Sequence, residues 1–168
     1  MMTGLMIITS LLIATFPLPA SATLYNKIYD RTGTLKARLS WWHIFYIYFD
    51  YHFEAFKPVS GSSTGSKVRL SGYVYWDSAL PSTHIRVGLA MWWKNQWWIF
   101  VWWTRATNWE PGQGAFEVNR YARDGYFSVW GEMVETGYQD HTYGAEIFLE
   151  IIYLTLVGTD SHFFEIEL

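Results

Sequence analysis

HIRVGLAMWWKNQWWIFVWWT, residues 84–104, carries the clearest fold signal in the chain. Ile85, Val87, Leu89, Met91 and Trp93 share one parity, and His84, Arg86, Gly88, Ala90 and Trp92 share the other. That period of two belongs to a strand with one buried face. Lys94-Asn95-Gln96 predicts the hairpin connection to a second strand, Trp97 to Thr104. Six of the 11 tryptophans fall between Trp92 and Trp103. Each Trp-Trp pair sends one indole to each face, and such large apolar groups need a partner. Trp93 continues the apolar parity and is assigned to the core, with Trp92 outward. If Trp93 faces Trp97 across the turn, Trp98 and Trp102 join Trp92 on the outer side. Trp92, Trp98 and Trp102 are therefore the candidate partner-binding residues. Their expected partner is another copy of the chain, another surface protein, a glycan or a lipid headgroup boundary. A loop or the N-terminal segment would also cover them.

The same alternation recurs along the chain. Leu39 to Phe56 reads as one long strand with a bend near Trp41-Trp42-His43, its apolar parity running through Phe45, Ile47, Phe49, Tyr51, Phe53 and Ala55. Val68, Leu70, Gly72, Val74 and Trp76 form another apolar face. Phe116, Val118 and Arg120 begin a shorter strand, and Arg123-Asp124-Gly125 signals a hairpin into Tyr126 to Glu135. Ala145 to Val157 reads as a long strand or a bent pair, and His162 to Leu168 as a last short strand. Eight or nine strands without a convincing helix predict an all-β fold, an antiparallel β-sandwich of immunoglobulin-like or jelly-roll-like type. The Ile85–Thr136 stretch, with its hairpin, Pro-Gly turn and Asp-Gly-Tyr return strand, resembles immunoglobulin-like sandwich modules of surface proteins.

The N-terminus predicts export. Leu5 to Phe16 is a short apolar run, followed by Pro17, Pro19 and the small residues Ala20-Ser21-Ala22. Residues 1–22 are expected to be a signal peptide cleaved before Thr23, with a single domain over 23–168. Retention as a membrane anchor is the alternative. The chain has no cysteine, so a disulfide scaffold and thiolate metal sites are excluded.

Net charge is −3, but all 12 Lys and Arg lie at or before Arg123, and the remainder of the chain is acidic. Acidic C-terminal strands lying beside basic strands would account for this. Nucleic acid is an unsuitable partner, because the chain is acidic and its aromatic cluster has no run of interleaved Lys and Arg, only Lys94.

Asp50-Tyr-His52-Phe-Glu54 places three metal-ligand types on one strand face. A further ligand would have to come from His84, His141 or His162. The bland alternative is a solvated face. Gln139-Asp140-His141-Thr142 and Thr159-Asp160-Ser161, read as loops, offer oxygen ligands for calcium, without an EF-hand pattern. No nucleophile elbow, zinc-protease helix, P-loop or dinucleotide fingerprint occurs. The expected class is a non-catalytic, exported, cell-surface structural or adhesive module. A glycan-binding module and a membrane-active protein with an aromatic hairpin are the alternatives.

Overall fold

The computed structural model describes residues 25–39, 45–60, 64–76, 83–110, 112, 114–122, 125–137 and 141–168. The expected signal peptide lies outside the described residues. The described chain is all-β, with ten strands and no helix. They are β1 (Tyr25–Leu39), β2 (Phe45–Pro58), β3 (Lys67–Trp76), β4 (His84–Trp97), β5 (Phe100–Arg105), β6 (Trp109–Glu110), β7 (Ala115–Tyr121), β8 (Tyr126–Glu135), β9 (Thr142–Tyr153) and β10 (Leu156–Glu167).

Two antiparallel sheets share one core in a sandwich-like arrangement. The first has the order β1-β2-β3-β8-β6. The second has β10-β9-β4-β5, with β7 also paired to β4. Alternation decides what meets between them. Ile47, Phe49 and Phe53 on β2 and Leu70 and Val74 on β3 are fully buried. Opposite them, Ile85, Val87 and Met91 on β4 and Ile147, Leu149 and Ile151 on β9 are also fully buried. Burying a side chain of this size contributes about 1.5–3 kcal/mol, and in a chain without disulfides this core is the principal source of stability.

Three connections differ from the sequence reading. Leu39 to Phe56 is not one bent strand: β1 ends at Leu39, β2 begins at Phe45, and the two pair antiparallel from Leu39↔Phe45 onward. The first strand escapes periodicity analysis because much of Tyr25–Thr34 is polar on both parities. Strands β7 and β8 do not form the hairpin expected around Arg123-Asp124-Gly125. β7 pairs with β4 in the second sheet, whereas β8 pairs with β3 in the first, so the two strands belong to different sheets. The C-terminal third is a single hairpin, with β9 and β10 joined through Leu154-Thr155, rather than a long strand and a separate short one.

A corner carries the chain from β6 back to β7. Gly114 adopts φ +82°, and a Cβ there would lie 1.7 Å from the Ala106 carbonyl oxygen, so only glycine fits. Its own carbonyl accepts from the Met91 amide at 2.7 Å, tying the corner to β4. At the opposite edge the Lys36 amide of β1 donates to Asp160 Oδ2 of β10 at 2.7 Å, and Tyr51 OH meets His162 Nδ1 at 2.7 Å. These contacts cover part of an edge that would otherwise offer unpaired backbone groups.

The uneven charge distribution becomes cross-strand pairing. Arg86 on β4 bonds Glu117 on β7 (2.7 Å) and Glu150 on β9 (2.6 Å), and Lys94 pairs with Glu165. Arg69 pairs with Glu132 at 3.0 Å. The hydrogen bond from Arg86 holds the Glu117 carboxyl below its ordinary value. A carboxyl depressed by folding stabilises the native state above its ordinary value, and that stabilisation is lost as pH falls through the depressed one. Denaturant midpoints measured from neutral pH into the acid range should therefore fall more steeply for the wild type than for Glu117→Gln. Parallel curves would remove this pair from the acid response.

Candidate functional site

The β4–β5 hairpin turns later than its polar residues suggest. Trp97 pairs with Phe100, Gln96 with Val101, Asn95 with Trp102, and Lys94 with Trp103. The connection is therefore the two residues Trp98-Ile99, not Lys94-Asn95-Gln96. The polar residues are engaged along the strands, Lys94 with β10 and the other two inside the ribbon. Lys94 pairs with Glu165, Asn95 Nδ2 donates to Thr104 Oγ1 and to the Trp93 carbonyl, and Gln96 Nε2 donates to the Trp98 carbonyl at 3.2 Å.

This register revises the assignment of the indoles. Trp92, Lys94 and Gln96 share the outer face with Arg105, Trp103 and Val101, their cross-strand partners. Trp93, Asn95 and Trp97 share the other face with Thr104, Trp102 and Phe100. Trp102 therefore belongs to the face of Trp93, and Trp98 occupies the turn itself. Trp92 is on the outer face as expected, but it is half-buried and its Nε1 donates to Glu146 Oε2 at 3.0 Å. Trp103 is the outer-face indole sequence reasoning missed, and its ring meets Phe163 edge-on at 4.8 Å. Trp93 packs against the core as assigned.

Beyond Trp93, β4 has no partner residue on β9, whose pairing ends at Tyr143. The hairpin continues as a two-stranded ribbon, and its apolar residues are exposed: Trp97 by 71%, Trp98 by 86%, Ile99 by 82% and Phe100 by 60%, with Val101 and Trp102 behind them. Trp98 has φ +59°. Tight hairpin turns demand such a conformation, and Asn or Gly normally supplies it. A bulky L-residue there costs about 1–2 kcal/mol. Leu154, exposed by 82% with φ +54°, repeats this arrangement in the β9–β10 turn at the opposite end of the sheet.

The outer face of the first sheet is different in character. Thr32, His52, Ser71 and Trp130 form one rung across β1, β2, β3 and β8. Thr34, Asp50, Tyr73 and Ser128 form the next. Between these rungs lies an open depression of about 750 Å³. Thr34 Oγ1 donates to Asp50 Oδ1 at 2.6 Å. Tyr75 is held above the ordinary phenol range, first by partial burial and then by the neighbouring Asp50 carboxylate.

Asp50, His52 and Glu54 share this face, but the structure does not gather them as a ligand set. Asp50 turns to Thr34, and the group whose ligand atoms converge within 4.8 Å is Asp30, His52 and Glu54. Asp30 comes from the neighbouring strand, 22 residues away in sequence, and meets His52 Nε2 at 2.7 Å. The Lys27 ammonium already bonds both Asp30 and Glu54 and supplies the positive charge a metal would bring. His162 is committed to Tyr51, and His84 stacks near Tyr121 with ring centroids 4.9 Å apart. Thr159-Asp160-Ser161 lies within β10 rather than in a calcium-binding loop, and Asp160 accepts from Lys36. Residues 139 and 140 lie outside the described set.

Comparison of the chain with protein-family models, curated proteins and solved structures finds no match.

Proposed function

We propose that this chain is an exported, non-catalytic β-sandwich module of immunoglobulin-like or jelly-roll-like type that attaches to a lipid surface through its β4–β5 hairpin. The observation carrying this reading is the uninterrupted apolar tip, Trp97 to Trp102, exposed on both faces and at its turn. A flat protein surface would cover only one side of such a ribbon. A bilayer interface surrounds an inserted tip, and its headgroup boundary favours indole rings. Trp97–Thr104 contains no charged residue, and nearby Asn95 and Gln96 are bonded internally. A sugar stacked here would therefore find few polar groups to recognise its hydroxyls. The Gln96–Trp98 advance is about 7 Å at the rise of an extended strand, which falls within the depth of interfacial insertion, about 5–10 Å. The aliphatic Leu154 tip points to the opposite end of the sheet, so a planar surface cannot engage both together.

Co-flotation with phosphatidylcholine vesicles, pure and mixed with anionic phosphatidylglycerol, tests the reading. The protein should float with both, with little response to salt, because attachment by apolar area is not screened. Trp97→Ala combined with Phe100→Ala should abolish flotation, whereas Leu154→Asp should preserve it. Flotation unchanged in the double variant, or no flotation of the wild type, overturns the proposal. Concentration-dependent dimers that dissolve in the same double variant would also overturn it, in favour of tip-to-tip self-association.

A further inference from the structure

We infer that the outer face of the first sheet, between Trp130 and Tyr73, is a second binding site, for a neutral oligosaccharide. It is independent of the hairpin and of the lipid reading. Trp130 is 65% and Tyr73 59% exposed. They stand on adjacent strands and adjacent rungs, Trp130 opposite Ser71 and Tyr73 opposite Ser128. The short Ser71 and Ser128 side chains keep the ground beside each ring low. No ring contact joins these two aromatics or ties either to another ring among the described residues, so their faces are available.

The remaining boundary of the depression is polar. Asp50, His52, Thr32 and Thr34 occupy the same two rungs on β2 and β1. Their internal bonds orient them without exhausting them. Asp50 accepts from Thr34 and lies beside Tyr75, but an ionised carboxylate has about four acceptor positions. His52 uses Nε2 toward Asp30 and retains its other ring nitrogen. Aromatic faces on one side and an anchored carboxylate, an imidazole and hydroxyls on the other suit a pyranose. Its C–H face packs on an aromatic ring while its rim hydroxyls donate to acceptors. Such mixed lining, mostly ring surface with a few placed polar groups, characterises small-ligand sites.

Charge selects the neutral member of this class. Asp50 faces the depression, and the flanking rung carries Asp30, Glu54 and Glu132. Lys27 and Arg69 are paired to those carboxylates. On the rung at the other flank, the Lys36 ammonium is held over the Tyr46 and Tyr48 rings, 4.1 and 5.3 Å from their centroids, so among the described residues a phosphate or a sulfated or uronic-acid sugar would meet Asp50 with no unengaged cation on either flanking rung. A lipid tail would meet hydroxyls and a carboxylate without partners.

The test is a printed array of neutral gluco-, manno-, galacto- and N-acetylglucosamine-based oligosaccharides, followed by calorimetric titration of the strongest hit. Binding is expected on at least one of these classes. Trp130→Ala and Tyr73→Ala should each weaken it by about tenfold or more, as truncation of an aromatic anchor does. Asp50→Asn, close in shape, should also weaken it, and Leu154→Ala should not. Melting temperatures of the variants are recorded alongside, and a variant that melts normally but fails to bind supports the site. Absence of binding across the array overturns the inference. So does binding that survives both aromatic truncations, or binding lost only with Trp97→Ala, which would move the sugar to the hairpin. Vesicle flotation by Trp130→Ala should equal that of the wild type, so failure here is distinguishable from failure of the lipid reading.

Discussion

Phe49→Ala is expected to destabilise the protein by about 3–5 kcal/mol, the range for deleting a buried aromatic ring. Phe49 is fully buried at the centre of the first sheet. Its direct neighbours across the strands are Leu35 on β1 and Val74 on β3, both fully buried as well. These neighbours belong to two different strands, one on each side of β2, so neither alone can move in to fill the space the ring leaves. For a domain near 150 residues the loss corresponds to a fall in melting temperature of roughly 10–20 °C. Thr32→Ala, on the exposed face of β1, is the matched control and should stay within about 0.5 kcal/mol of the wild type. An unchanged melting temperature for Phe49→Ala would mean that β2 presents its other parity to the core. The depression bearing Asp50 and His52 would then be misplaced along with it.

Trp98→Gly should separate folding from attachment. Glycine adopts φ +59° without the penalty a bulky L-residue meets, so relief of strain of about 1–2 kcal/mol is expected in the folded state. Greater freedom of glycine in the unfolded chain offsets part of this, by roughly 0.4–1 kcal/mol. The variant should therefore melt at or slightly above the wild-type temperature. Its partitioning onto phosphatidylcholine vesicles should fall by roughly ten- to a hundredfold, the equivalent of about 1.5–3 kcal/mol for one large apolar side chain. A marked loss of thermal stability would show that the indole packs against its own chain. Undiminished partitioning with normal stability would show that the turn does not enter the lipid.

Local pattern was enough for the strand faces and for the class of fold. Ile85, Val87, Leu89 and Met91 are fully or almost fully buried, as are Phe45's successors Ile47, Phe49 and Phe53 on the same parity of β2. A period of two is a property of the strand itself and needs no knowledge of its neighbours. Pairing is another matter, because it is decided by which strands meet, not by any strand alone. Leu39 and Phe45 continue one apolar parity in sequence, yet they lie opposite each other in antiparallel strands. Asp124-Gly125 carries a hairpin composition, but Tyr126–Glu135 finds its partner in β3, more than fifty residues earlier.

The candidate sites divide along the same line. The aromatic density of Trp92–Trp103 is plain in the sequence. The position of the turn is not, since Lys94-Asn95-Gln96 has turn chemistry and Trp98-Ile99 does not. Salt bridging to Glu165 and cross-strand bonding to Thr104 hold the polar residues in the ribbon, and the turn falls two residues beyond. Asp30 meets His52, and Trp130 comes to stand beside Tyr73, only because β1, β2, β3 and β8 are laid in register. Alternation determined which side of each strand faces water. Tertiary pairing alone decided what those water-facing side chains stand next to, because that proximity arises between residues distant along the chain.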